Sequence, residues 1–204
     1  MERSARLESI TSQRRFRFSF GLVPASGLRT CQNMLTHDQE QWVNSLSDRI
    51  VSVVPYDPRT ERLFMVVKKK ILDILGPEAI VEHCGASSLG ISGQDEIDVS
   101  VVASSGEFAD YAMKLDGKLG SIASWYPDRV RFDVREEGKK IDLKVVDGEH
   151  PNHLRGKIFE RHLRTHPEDL ERYRALKEGS NSLTTKEYYR RKIEFINEIL
   201  EKAE

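Results

Sequence analysis

The stretch EHCGASSLGISGQDEIDVSVV, Glu82 to Val102, decides the fold of this chain. At its end Ile97, Val99 and Val101 alternate with Asp98 and Ser100, the period of a strand with one apolar and one polar face. Asp98 therefore looks out of the core from a sheet surface. At its start Ala79 to His83 reads as a short strand, and Gly85 to Gly93 between them is a turn of small residues. Such a turn lets backbone approach a phosphate, with hydroxyls from Ser87 and Ser88 and N–H groups from Gly85 onward. A Gly- and Ser-rich turn is also often only a turn. The Gly-Lys-Ser/Thr of a P-loop is missing, and so is the dinucleotide fingerprint.

Upstream, apolar residues at Leu63, Val66, Val67, Ile71 and Ile74 recur at helical spacing from Arg62 to Leu75, and Gly76-Pro77 stops the helix. Pro55 and Pro58 break the chain between this helix and the apolar run Ile50 to Val54. A short helix is expected near Asp38 to Leu46. Downstream, Glu107 to Leu119 is helical in period. Val130 to Val134 and Ile141 to Val146, turned at Gly138, form an antiparallel hairpin. Three helices follow, Arg155 to Arg164, Pro167 to Lys177 and Thr185 to Ala203. Pro167 sits at a favoured first-turn position, and Thr184 or Thr185 with Glu187 offers a cap. Tyr189, Ile193, Ile196 and Leu200 make the expected core stripe of the last helix.

Length and charge bound the rest. At 204 residues the chain suits one well-buried core with a helical appendage. The expected division is a basic, flexible leader over 1–45, an α/β core over 46–150, and a helical portion over 151–204 packed on that core. With 32 basic and 33 acidic residues the net charge is -1, which argues against nucleic acid as a partner. Cys31 and Cys84, the only two cysteines, have no metal-site or disulfide spacing and suit a reducing compartment. No apolar run is long enough to span a bilayer. A cytoplasmic protein is expected. An organellar one is the alternative, because the leader is rich in Arg and Ser.

Asp98 and Asp142 carry the chemistry. In the second hairpin strand Asp142 lies between Ile141 and Leu143 as Asp98 lies between Ile97 and Val99. Two convergent carboxylates can hold Mg²⁺ beside a substrate's phosphates. The alternative is that they pair with Lys144 and Arg131 on a solvated face, and Asp133 is a second possible acid. His83 precedes the turn and can bond its backbone or a phosphate. Further substrate contacts are expected from Ser100, Lys144, Lys177, Tyr188 and Lys192, the last two one helical turn apart. The HLRTH segment from His162 to His166 lacks the carboxylate of a zinc-protease helix.

EHCGASS followed by GISGQDEIDVSVV resembles the EHIGSTS…GKxxIDI signature of the GrpB family, in the nucleotidyltransferase superfamily. The likeness extends through VVPYDP (Val53 to Pro58), IDLKVV (Ile141 to Val146), HLRGKIFERHLRTHPEDLERYRALK (His153 to Lys177) and YYRRKIEFINEIL (Tyr188 to Leu200). It implies a nucleotidyltransferase-like mixed α/β sheet with flanking helices and a C-terminal helical portion. It also implies that Gly85 opens the active site, that Asp98 is the first metal acid, and that Asp142 stands for the third. Ala86 stands where the family has its first serine, Gln94 replaces a frequent lysine, and Ser100 occupies the second acid's place. The expected activity is Mg²⁺-dependent transfer of a nucleoside monophosphate from a nucleoside triphosphate to an acceptor the sequence does not identify. The alternative is a catalytically weak or inactive module on the same fold, binding a nucleotide, another phosphate-bearing small molecule or a protein. The oligomeric state is not legible in the sequence.

Overall fold

The computed structural model describes residues 35–203. The Arg/Ser-rich part of the leader and Cys31 lie outside the described residues. Two compact units are present. One comprises residues 56–91 and 95–153, the other residues 35–55, 92–94 and 154–203.

The first unit is built on a five-stranded mixed sheet. Its strands are β1 (Ile80–Cys84), β2 (Glu96–Ala103), β3 (Ser121–Trp125), β4 (Arg129–Glu136) and β5 (Lys139–Asp147), in the order β1-β2-β5-β4-β3. Only β2 and β5 run parallel; the other neighbours are antiparallel. The strand period sorts one face cleanly into the core. Ile97, Val99, Val101, Ile141, Leu143, Val145, Val130, Phe132 and Val134 are all buried there. The same core takes in Leu63, Phe64, Val67 and Ile71 of helix α2 (Thr60–Leu75) and Phe108, Ala112 and Leu115 of α4 (Phe108–Leu115). Each fully buried Leu or Ile among them contributes about 1.5–3 kcal/mol. Phe64 rather than Val66 completes the buried stripe of α2. Gly76 ends that helix in a left-handed conformation, with φ of 104°, as the Gly-Pro pair predicts.

The helix expected over Glu107 to Leu119 stops earlier, at Leu115, because Asp116 turns extended and its carboxylate accepts from the N–H of Ile122 at 3.1 Å. The chain then enters β3, a strand the periodicity does not announce. It is a five-residue edge strand whose pairing with β4 is irregular between Ile122 and Ser124. Its Trp125 packs edge-on against Phe108 at 6.0 Å.

The second unit is helical. It holds α1 (His37–Ser45), most of α5 (Pro151–Thr165), α6 (Pro167–Glu178) and α7 (Thr185–Ala203). Thr36 and Gln39 form a reciprocal capping box at the start of α1. Thr184 and Glu187 do the same for α7, with bonds of 3.1 and 3.3 Å. Phe159, Tyr173 and Phe195 pack ring to ring, 5.3 and 5.4 Å apart at Tyr173. The buried stripe of α7 is Tyr188, Phe195, Ile199 and Leu200. It is rotated from the expected one, because Tyr188 and not Tyr189 points inward. Among the described residues no helix is long and apolar enough to cross a membrane.

Candidate functional site

The face of the sheet opposite the core carries two polar rows fixed by register. The first row reads Cys84, Asp98, Asp142, Asp133 and Ser121 across β1, β2, β5, β4 and β3. The second, two residues along, reads Glu82, Ser100, Lys144, Arg131 and Ser124. Acids therefore line one row and the cations Lys144 and Arg131 lie in the next. Diagonal neighbours on a sheet are within reach of long side chains.

The contacts follow from that register. Lys144 Nζ donates to Asp98 Oδ1 at 3.0 Å and lies 2.8 Å from Asp142 Oδ2. Arg131 donates to the other oxygen of Asp142, Oδ1, through Nη2 at 2.7 Å and Nε at 3.1 Å. Burial pushes the Asp142 carboxyl up, but the Lys144 and Arg131 charges outweigh it and hold the group well below the usual carboxylate range. The Lys144 ammonium is likewise disfavoured by burial, and Asp98 and Asp142 raise its pKa regardless. Asp133 completes the acidic row but is exposed.

A third carboxylate comes from Glu96. Oxygens of Glu96, Asp98 and Asp142 lie within 4.8 Å of one another, a group able to hold a metal ion. Glu96 sits two residues before Asp98 and hence on the same face. The place two residues after Asp98 is the buried Ser100. The acid-x-acid spacing is thus present as Glu96-Ile97-Asp98, displaced by one strand period from the Ser100 position that the resemblance implies. Glu96 also pairs with Lys140 at 2.5 Å.

The turn is shaped around Asp98. Gly85 begins α3, a single helical turn (Gly85–Ser88), with φ of 70°. A side chain at Gly85 would drive its Cβ into the Asp98 carboxylate, 2.8 Å from Cγ and nearer still to Oδ2. Glycine is required here both by the left-handed backbone and by the close approach. The turn hydroxyls are engaged locally. Ser88 Oγ donates to the Gly85 carbonyl at 2.9 Å, and Ser87 Oγ lies 3.0 Å from His83 Nε2. His83 itself lies on the helix side of the sheet, where it stacks on Phe64 at 4.7 Å and its Nδ1 is 3.4 Å from Glu61. It braces the turn from behind the acidic row.

At the other end of this segment Asp95 takes a left-handed conformation, with φ of 60°, and pairs with the buried Lys139. Lys139 also lies 3.4 Å from Asp57 of the VVPYDP segment, whose carboxylate receives Arg59 at 2.9 Å. These pairs secure the approach to β2 and the start of β5.

The remaining candidates belong to the second unit. Lys177 and Tyr188 are buried and joined, Nζ to Oη, at 3.2 Å, with Tyr173 facing the same ammonium at 5.0 Å. Lys192 lies over Tyr188 and Tyr189 at 6.0 and 5.6 Å. Tyr188, expected as a substrate contact, is fully buried in the core of this unit. In the HLRTH segment the rings of His162 and His166 stack at 3.9 Å, and His162 Nε2 lies 2.9 Å from Asp169.

The sheet thus carries helices on one face and, on the other, converging acids of β2 and β5 beside a glycine turn. The GrpB protein family profile matches residues 50–202, and the chain belongs to that family. UPF0157 protein SCO7215 of Streptomyces coelicolor is 26% identical over 132 residues, 62% of this chain and 68% of that protein. The crystal structure of conserved protein GrpB from Enterococcus faecalis is similar with a TM-score of 0.57 at 18% identity. That similarity covers 74% of this chain and 96% of the other, and it is a likeness of fold.

Proposed function

We propose that the polar sheet face binds a nucleoside triphosphate with a divalent cation and transfers its nucleoside monophosphate to an acceptor hydroxyl. One observation carries this reading: three carboxylates converge within 4.8 Å beside a turn that admits only glycine. Like charges at such spacing repel unless a cation lies among them. Oxygen-only donors suit Mg²⁺, and Glu96, Asp98 and Asp142 are the residues that would hold it. Mg²⁺, when bound, neutralises the phosphates and the departing pyrophosphate. The chain's own part is positional and electrostatic. The Gly85 turn lets phosphate oxygens come close to backbone N–H groups, and Lys144 and Arg131 offset charge beside the acids. The acceptor oxygen forms its bond to the α-phosphorus as the bond to pyrophosphate breaks.

A second reading, ligand binding without turnover, is favoured by the ion pairs themselves. Glu96, Asp98 and Asp142 are already matched by Lys140, Lys144 and Arg131, so the group is neutral before any metal arrives. Asp98→Asn tests the shared part of both readings. With nucleotide and Mg²⁺ near a hundredfold over Kd, the unaltered protein should gain about 2.7 kcal/mol of stability, read as a higher melting temperature. The variant should lose this response. An undiminished response in the variant removes the site, and pyrophosphate release by the unaltered protein separates transfer from binding alone.

A further inference from the structure

We propose that Lys144 is a built-in counter-cation, holding the place of a metal between Asp98 and Asp142 and having to leave before a metal can bind. The inference rests on the metal-site reading above and concerns what controls that site. Lys144 bridges the two acids, 3.0 Å from one and 2.8 Å from the other. Arg131 holds the other oxygen of Asp142, Oδ1. Lys140 touches only Glu96 at the edge of the group.

Charge counting shows why the lysine must move. With Lys144 in place the three carboxylates face three cations, and a divalent ion added on top would leave the cluster with a net charge of about +2. Displacing one lysine makes room for the ion and removes one of those charges. Of the three cations Lys144 is suited to this. Its ammonium is a compact charge on a flexible four-carbon stem, and a quarter of its side chain, 25%, is open to solvent. Once released it can follow the phosphates that arrive with the metal. Metal binding alone is therefore weak, and it becomes favourable when an anionic ligand gives the displaced ammonium a new partner.

The experiment measures Mn²⁺ binding to the full chain without nucleotide, by the loss of the free-ion paramagnetic resonance signal. Lys144→Gln should bind Mn²⁺ at least about tenfold tighter than the unaltered protein. Adding Asp98→Asn to that variant should abolish the gain. If the unaltered chain binds Mn²⁺ through Asp98 and Lys144→Gln binds it no more tightly, the lysine proposal fails while the metal-site reading stands. If neither chain binds Mn²⁺, both fail. A second measurement needs no variant: saturating Mn²⁺ should raise the rate at which an acylating reagent labels Lys144, followed by mass spectrometry. Unchanged labelling in the Mn²⁺-bound protein overturns the proposal.

Discussion

Asp142 on the sheet and Asp169 among the helices are near twins by environment. They are 6% and 5% exposed, and both carboxyls are held well below the usual range. For Asp169 the hydrogen bond from His162 is the largest cause, with Arg172 and Lys202 adding to it. Their surroundings differ in kind. Around Asp169 the cations come to the acid: Arg172 at 2.6 Å and Lys202 at 3.3 Å, both also holding Glu198, so that α6 and α7 are tied together. Around Asp142 the acids come to each other, with oxygens of Glu96 and Asp98 converging on it within 4.8 Å. Burial and a depressed carboxyl accompany both arrangements. Convergence of like charges, with a turn built against one of them, marks the candidate site.

Removing Asp169 should have the largest effect on stability. Asp169→Asn deprives the buried His162 of its carboxylate, while Arg172 and Lys202 keep Glu198, and should cost about 3 kcal/mol, read as a lower urea midpoint, while the Mg²⁺-nucleotide response survives. A lost response in that variant would break the contrast between the two aspartates. Gly85→Ala is expected to cost about 2 kcal/mol through its left-handed backbone and the Asp98 clash. Unlike the first variant it should also abolish the nucleotide response, and retention of that response would show that the turn is only a turn.

The smallest effect sharpens the comparison through pH. Glu198 is drawn down to about 2, chiefly by its hydrogen bonds with Arg172. A carboxyl whose pKa is depressed on folding contributes stability that is complete above its unfolded pKa of about 4.3 and lost as pH falls toward the folded value. Glu198→Gln should therefore be about 1 kcal/mol less stable than the unaltered protein at pH 7. The difference should close between about pH 4 and pH 2 in urea midpoints. A gap that persists at pH 2 would mean that Glu198 acts through packing.

Much of the fold was legible because the strands and helices keep their periods. β2 and β5 declare their two faces, Gly138 turns the hairpin, and Thr184 with Glu187 marks the start of α7. β3 stayed hidden because a short, irregular edge strand containing Ser121 and Ser124 has too little apolar alternation to register. Neighbouring tyrosines in α7 differ by about 100° around the helix, and composition could not say which one faced inward. At the site, Asp98 and Asp142 share a local pattern and were legible for that reason. Glu96 was equally legible in Glu96-Ile97-Asp98, but the resemblance places the second acid at Ser100. Lys144 and Arg131 were legible as possible partners. Their geometry was not, since it depends on the parallel register of β2 with β5, which no local stretch encodes.

That parallel pairing also sets when the site comes into being. Arg131 and Asp142 are 11 residues apart across one hairpin, so their bond can form as soon as β4 and β5 close. Lys144 and Asp98 are 46 residues apart, with α4, β3 and β4 between them, and meet only once the two central strands have paired. Loop-closure entropy places such contacts late in folding. A ligand bridging Asp98 and Asp142 then finds its site only in the completed sheet. It would slow unfolding while leaving the folding rate almost unchanged, making kinetic persistence of the native state a direct reporter of occupancy.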